Sequence, residues 1–439
     1  MWTYYPELLR RPVPRYTSYP TAADFTDQVG AGDQALALQR VEPGTPLSLY
    51  VHIPFCEEIC WYCGCNTARS NRPSRLAAYL DALHEEIALV AGLLGGHGRV
   101  RRITFGGGSP NAIQPLDFVR LIGDMMVAFH AEDPLISLEI DPRHVSEDWI
   151  RVIRATKARY TSMGVQTFDP QVQEAIGRIQ PHATIERLTR SLRDAGIVSL
   201  NFDLMYGLPR QDRAVLTETL EQAVALQPDR IALFGYAHVP AVIPRQRRID
   251  ASDLPDEAER FAMAALGHDF LVDQGYQPIG FDHFARPGDP LAIAAREGRL
   301  HRNFQGFTDD ESQHLIGFGA SAISQFPELY AQNAKNAGHY RQAIAAGRLP
   351  TERGVTRDPA SRACGKLIND ILCQGIGETP VHLTPSQGEM LEEFVQHGLI
   401  TTGGGQVRLR PNAAPYARTI AAIFDPRLAH KIGNFSAPV

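Results

Sequence analysis

The chain has 439 residues, enough for two or three domains, and its 44% apolar and 21% charged residues are the balance of an ordinary globular protein. A formal charge of −6 gives no reason to expect nucleic acid or a polybasic contact with lipid. No run of about 18 apolar residues would cross a bilayer, and MWTYYPELLRRP lacks the apolar centre of a secretion signal, so a reducing, cytoplasmic setting is expected.

Residues 1–46 read as an irregular N-terminal arm. RPVPRYTSYPT at 11–21 holds three prolines that forbid a continuous helix. Its Arg10, Arg11, Arg15, Tyr16 and Tyr19 are either a surface segment or a cover over a cleft that meets carboxylates.

From Leu47 the pattern alternates strand with amphipathic helix. Strands are expected at 47–53, 102–105, 136–140, 160–164, 198–204 and 230–234. Helices are expected at 74–94, 116–130, 146–158, 171–178 with 185–195, and 215–225, with Ser74, Ser146 and Thr184 as caps. Six βα repeats predict a parallel sheet, as a partial barrel or a doubly wound sheet. In both, ligands sit beyond the C-terminal ends of the strands.

The loops at that rim are unusually polar. After the first strand, YVHIPFCEEICWYCGCNT carries Cys56, Cys60, Cys63 and Cys65, four of the six cysteines. A structural zinc site would need a second pair of ligands nearby, and Cys364 and Cys373 are too distant in sequence to supply it. A redox pair would use only Cys60 and Cys63, and a disulfide knot does not suit a reducing compartment. The remaining reading is an iron–sulfur cluster on three thiolates. The fourth iron is left open, as a catalytic zinc keeps a free position, and would chelate the amino and carboxylate groups of S-adenosylmethionine.

The later loops follow suit. Gly106, Gly107, Gly108, Ser109 and Pro110 follow the second strand, Glu139 and Asp141 close the third, and Gln166 follows the fourth. Asn201 and Asp203 end the fifth, and Tyr236, Ala237 and His238 follow the sixth. The glycines are either a tight turn or a close approach of backbone to ligand. Glu139 suits a ribose diol, while Asp203 and Gln166 also fit as buried structural partners.

Beyond residue 240 the repeat stops. Arg245, Arg247 and Arg248 form a solvated turn or an anion contact, 257–274 is helical by period, and 280–301 reads as a loop. LIGFGASAIS within 313–324 suits a segment against a flat ligand. From about 358, short helices and a triple-glycine turn at 403–405 predict a small, mostly helical C-terminal domain in which Cys364 and Cys373 are buried thiols. The expected division is 1–46 for the arm, 47–290 for the barrel and 291–439 for the C-terminal region.

Cys-x3-Cys-x2-Cys after a strand resembles the signature of the radical S-adenosylmethionine superfamily. RYTSYPTA at 15–22, LYVHIPFC at 49–56, CGCN at 63–66, GGGSP at 106–110, SMGVQ at 162–166, DLMYGLP from Asp203, YAH at 236–238, DHFARP at 282–287, HRNFQG at 301–306 and GASAIS at 319–324 resemble the oxygen-independent coproporphyrinogen III oxidase family. The resemblance spans nearly the whole chain and weakens near its end. It implies an α/β fold, a partial (β/α)6 barrel with an N-terminal arm and a small helical C-terminal domain. It also implies anaerobic oxidative decarboxylation of two propionates of coproporphyrinogen III, giving protoporphyrinogen IX by way of a 5′-deoxyadenosyl radical.

By the same resemblance, Cys56, Cys60 and Cys63 would ligate one 4Fe–4S cluster, and two S-adenosylmethionine molecules would bind. Tyr50, Gly107, Glu139, Gln166 and Arg178 match positions around these molecules, and Tyr62, Gly108, Ser109, Asp203, Ala237 and Ile323 match further contacts. Cys65 matches a cysteine beside the cluster that is not a ligand; Cys65 and Tyr50 are the expected catalytic side chains. Tyr62 and Ser109 stand where the family pattern has Phe and Thr, which keeps the aromatic face and the hydroxyl. Reduced flavodoxin or ferredoxin is implied as electron donor, and a monomer without nucleic-acid or membrane partners is expected. Arginines of the arm and of 245–248 are candidate clamps for the substrate's carboxylates. Three rivals remain. One is a haem-binding relative without decarboxylation, though such relatives tend to carry Phe at the position of Cys65 and lack the arm. Another is a zinc-binding module without catalysis. The third is a radical enzyme acting on a different substrate, which the length of the resemblance weakens.

Overall fold

The structure, a computed structural model, describes residues 2–380 and 382–428. The last eleven residues of the expected 291–439 region lie outside the described residues. Six strands form where alternation predicts them: β1 (Pro46–Ile53), β2 (Arg99–Gly107), β3 (Leu135–Ile140), β4 (Tyr160–Gln166), β5 (Ser199–Tyr206) and β6 (Arg230–Gly235), all parallel and paired in chain order. Helix α1 (Ala31–Gln39) precedes them. Between them run α2 (Pro73–Leu94), α3 (Pro115–Ala128), α4 (Glu147–Ala155), α5 (Pro170–Ala175), α6 (His182–Asp194) and α7 (Arg213–Ala225). The sheet is concave. Thr104, Ser137, Glu139, Tyr160, Ser162, Asn201, Asp203 and Arg230, alternate residues of five successive strands, line one lumen of about 340 Å³. The opposite faces, including Leu49, Val51, Ile103, Phe105, Leu138, Met163, Phe202 and Leu204, are buried beneath the helices.

Of the expected caps, only Ser146 serves, its hydroxyl accepting from the Trp149 amide. Helices α2 and α6 begin earlier, at Arg72–Pro73 and after Pro181, so Ser74 and Thr184 lie inside them. In α2 the proline at the first helical position needs no amide partner and presets the backbone, which displaces the start from the nearest hydroxyl.

The boundary expected at residue 290 does not fall at an edge of the sheet. After α8 (Glu257–Asp273), β7 (Gln277–Ile279) and β8 (His283–Ala285) close the β6 edge antiparallel. A hairpin of β9 (His301–Asn303) and β10 (Gly306–Thr308) follows. Then β11 (His314–Phe318) pairs parallel with β1, and β12 (Ile323–Phe326), β13 (Leu329–Asn333) and β14 (Thr351–Thr356) extend that flank. The region from 291 is therefore strand-rich up to 356. These strands are short, and β11 and β13 gave no alternating signal because they are covered on both faces, every residue of β13 being buried.

The remaining chain forms α9 (Ala337–Ala345), α10 (Pro359–Gln374), α11 (Pro385–Gln396) and α12 (Ala417–Ala422). A small antiparallel sheet of β15 (Ile376–Glu378), β16 (Ile400–Gly403) and β17 (Gln406–Leu409) joins them. Cys373 is buried in α10, and the half-buried Cys364 donates to the Phe424 carbonyl at 3.0 Å. The arm is packed against this region along its length. The Tyr416 hydroxyl receives the Tyr5 amide at 2.9 Å and donates to the Thr3 carbonyl at 2.7 Å. The Tyr16 hydroxyl meets Asp425 at 3.0 Å, and Thr26 bridges to Gly354.

Candidate active site

The cysteine loop leaves β1 and is pinned at its base. Phe55–Cys56 pairs with Ala68–Arg69, and the Cys56 sulfur lies 3.2 Å from the Thr67 hydroxyl. Mid-loop, the Trp61 amide donates to the Ile176 carbonyl at 3.0 Å. Its ring lies on Gly177, where a Cβ would stand 2.5 Å from the indole and where φ is +65°. The Cys60 sulfur receives Arg178 Nη1 at 3.1 Å and Arg143 Nη2 at 3.5 Å, while the Cys63 sulfur receives the Cys65 amide at 3.4 Å.

Hydrogen bonding from Cys65, with Arg245 and Arg178 nearby, brings the Cys63 thiol down to about 6, whereas burial pushes Cys56 up to about 11. All six cysteines are free. Two guanidinium groups aimed at one sulfur suit an anionic set of thiolates. Among the described residues no three His, Cys, Asp or Glu converge on one ion. A cubane does not require that convergence, because each thiolate takes a separate iron. Cys56, Cys60 and Cys63 therefore fit a 4Fe–4S cluster, and the exposed Cys65 stands beside them.

Arg178 and Arg143 are tied together by Asp141. Arg143 Nη2 meets its carboxylate at 2.6 Å and Arg178 Nη2 at 3.2 Å. Burial pulls the Asp141 carboxyl up, but the two cations outweigh it and hold it at about 2. Arg178 also donates to the Gly164 carbonyl at 2.6 Å and to Gln180 at 3.0 Å. Its guanidinium thus braces the cluster loop against β3 and β4.

The glycines of GGGSP are demanded by what surrounds them. A Cβ would lie 2.7 Å from the Glu139 carboxylate at Gly106, 2.7 Å from the His52 ring at Gly107, and 2.6 Å from the Phe55 carbonyl at Gly108. The Gly107 φ of +116° is open to glycine alone. The Gly108 amide donates to the Ile53 carbonyl and that of Ser109 to Phe55, both at 2.8 Å, stitching this turn to the cysteine loop. The buried Ser109 hydroxyl donates to Asn111 and accepts from the Asp141 amide.

Glu139 accepts the Gly107 amide at 3.2 Å; burial, with the Asp203 charge beside it, raises its carboxyl to about 7. Asp203 is also raised by burial, and receives Ser162 and Asn201, each at 2.8 Å. The two acids share the lumen. Gln166, at φ +67°, is buried at its upper end, with its amide nitrogen crowding the space at Gly164. Tyr50 lies at the β1 end, its hydroxyl 3.2 Å from His52 Nδ1, and pairs in register with Gly317, whose missing side chain leaves room for the Ile323 carbonyl. Gln246 joins Tyr62 to Ala237 by donating to both carbonyls at 3.0 Å.

Ala237 lines a second cavity, of about 250 Å³, which shares Phe234, His283 and Gln305 with the lumen. Arg15, one of the candidate arm clamps, lines this cavity. Arg248 does not. Its guanidinium lies 4.6 Å over the Trp61 ring in a separate cleft with Glu58 and Ile59, because the 245–248 turn folds back on the cysteine loop.

Several site residues carried too little signal to be singled out. His52 shares the inward face of β1 with Tyr50, a period-two relation that marks it in retrospect; burial lowers it to about 4, so it is neutral at ordinary pH. Arg143 sits just after Asp141 with nothing local to mark it. Arg260 and Arg418 are helix residues without a motif, and Arg302 lies in HRNFQG without an evident role.

Residues 50–223 match the profile of the radical SAM superfamily. The chain is 40% identical to the oxygen-independent coproporphyrinogen III oxidase of Bradyrhizobium diazoefficiens over 427 residues, covering 95% of each. The chain is a member of the oxygen-independent coproporphyrinogen III oxidase family. The Escherichia coli member is 37% identical over 95% of this chain and 93% of its own. The solved structure of coproporphyrinogen III oxidase from Escherichia coli, described as a radical SAM enzyme, superposes with a TM-score of 0.89 and 34% identity, covering 97% of this chain and 99% of that one. The α/β fold, with its partial (β/α)6 barrel, is that of this coproporphyrinogen oxidase family, and membership brings a 4Fe–4S cluster and S-adenosylmethionine as cofactors. No helix among the described residues is long and apolar enough to cross a membrane.

Proposed function

We propose that the protein converts two propionate side chains of coproporphyrinogen III to vinyl groups without oxygen, giving protoporphyrinogen IX. The observation that carries this reading is the joining of three features on one rim, in a chain similar to the named oxidases over 95% of its length. They are the cysteine loop, the Gly106–Gly108 turn with Glu139, and an arginine-lined cavity opening beside them. Cys56, Cys60 and Cys63 hold the cluster. Two S-adenosylmethionine molecules are accommodated by Tyr50, Tyr62, Gly107, Gly108, Ser109, Glu139, Gln166, Asp203, Ala237 and Ile323, with Arg178 bracing the loop from behind. Reduced flavodoxin or ferredoxin supplies the electron, and the enzyme acts as a cytoplasmic monomer.

Each propionate gives up a β-hydrogen atom, CO2 and one further electron to become an alkene. The β-carbon has no acidic hydrogen, so no general base in the site would reach it. When bound, the cluster and S-adenosylmethionine together supply a primary carbon radical able to take that hydrogen. The protein's share is placement, which contributes up to about 7–11 kcal/mol where reacting atoms are well oriented, and exclusion of water. Glu139 and Asp203 would hold ribose hydroxyls, the glycine turn, bare of side chains, would leave room for the methionyl end, and the arm would cover the opening. The test is an anaerobic assay of cluster-reconstituted protein with reductant and S-adenosylmethionine, counting 5′-deoxyadenosine against vinyl product. Vinyl formation in proportion to 5′-deoxyadenosine is expected. Bound haem with no consumption of coproporphyrinogen would overturn the reading.

A further inference from the structure

Four guanidinium groups from four separate parts of the chain converge on the 250 Å³ cavity: Arg15 of the arm, Arg260 of α8, Arg302 of β9 and Arg418 of α12. Among the described lining residues one carboxylate faces them, Asp282, and His283 already holds it at 2.5 Å. Arg302 spends two nitrogens on the Tyr16 and Arg15 carbonyls, while among the described residues its buried Nη1 has no hydrogen-bond partner, nor has Nε of Arg260. Burial, and then the Arg15 charge, brings Arg418 down to about 10.

Gathering several cations around one shared counter-charge is unfavourable for the free protein. Such a cluster is retained where an arriving anion completes it. The walls are aromatic: Trp2, Tyr206, Phe281 and Phe284. The cavity is smaller than a tetrapyrrole macrocycle, so it would take an edge that bears carboxylates, leaving the rest to extend past His283 toward Glu139 and Asp203.

We propose that this arginine vault seats propionate carboxylates of the substrate, anchored by Arg302 and Arg418, so that the arm and the C-terminal helices read the number of carboxylates. The assignment rests on the function proposed above. The carboxylate of a second S-adenosylmethionine has the same chemistry, and the experiment separates the two.

The probes are coproporphyrin III, a stable oxidised form with four carboxylates, and mesoporphyrin IX, with two. Both are titrated anaerobically into the cluster-reconstituted protein, wild type and the Arg302→Met, Arg418→Met and Arg418→Lys variants, alongside S-adenosylmethionine. Wild type is expected to bind coproporphyrin III at least tenfold tighter than mesoporphyrin IX. Each Met variant should lose tenfold or more for coproporphyrin III and clearly less for mesoporphyrin IX, with Arg418→Lys recovering part of the loss. Iron per chain should be unchanged. The ligand-free Arg418→Met protein should melt no lower than wild type, since an uncompensated charge is removed.

Unchanged coproporphyrin affinity in the Met variants, or equal affinity of wild type for both porphyrins, overturns the vault. Loss of S-adenosylmethionine binding alone reassigns it to the cofactor. A lower melting point with equal losses for both porphyrins makes the arginines structural. If wild type binds neither porphyrin nor consumes coproporphyrinogen, the proposed function falls as well; conversion with indifferent variants sinks the vault alone.

Discussion

Asp141 stays ionised far below neutral pH because Arg178 and Arg143 surround it, and the same two arginines reach the Cys60 sulfur. Replacing Arg178 by Met leaves a buried carboxylate short of a partner. Breaking such a pair costs about 3–5 kcal/mol, so the expected outcome is a lower unfolding midpoint together with reduced iron retention, read by calorimetry and by iron per chain. The cysteines separate by role. Cys56→Ala, Cys60→Ala and Cys63→Ala should each lose most iron and sulfide, while Cys65→Ala should keep the cluster's absorption and lose vinyl product. A colourless Cys65→Ala protein would make that residue a ligand. The three proposed ligands stand out as a spacing because they sit on one loop. The bracing role of Arg178 does not, because its partners Cys60 and Asp141 are close only in space, and spacing carries no information about them.

At the scale of elements, α2 is fastened to the turn between β11 and β12 by one buried acid. Glu86, 1% exposed, accepts the Gly319 amide and the Tyr340 hydroxyl at 2.7 Å and Asn333 at 2.8 Å. Burial lifts its carboxyl from 4.5 to about 7 against the pull of those three donors. A raised carboxyl contributes stability that is full below the unfolded value near 4.5 and is lost as pH rises through about 7. The loss is about 3 kcal/mol at most. Glu86→Gln should flatten this part of the profile, measured as the variant-minus-wild-type difference in unfolding midpoint between pH 5 and pH 8. An unchanged difference would show that Glu86 does not titrate in that window.

Strands β1 to β6 were readable because one face meets the helices and the other a polar lumen, which writes alternation into the sequence. Strands β11 and β13 lie between covered faces, so LIGFG and its neighbours read as a small apolar stretch rather than as strands. The barrel's first flank was lost to that ambiguity.

For the molecule as a whole, the arm is a structural member. Trp2 and Tyr4 rest on Phe261 and Tyr5 on His397 and Tyr416, while Trp2 and Arg15 line the vault. Removing residues 2–9 should destabilise the protein by about 3 kcal/mol or more from the aromatic area uncovered and weaken coproporphyrin III binding, with iron per chain unaltered. Parallel loss of iron would mean the arm also supports the cysteine loop. The pairing of β1 with β11 has a further consequence during synthesis. The two strands are separated by about 260 residues, which a ribosome adding 5–20 residues per second needs roughly 13–50 s to translate. Throughout that interval the cysteine loop has emerged while the apolar flank of β1 is still unsealed. A scaffold delivering iron and sulfide would therefore meet its acceptor on a half-made barrel, and slowing translation between β6 and β11 would lengthen the exposure of both.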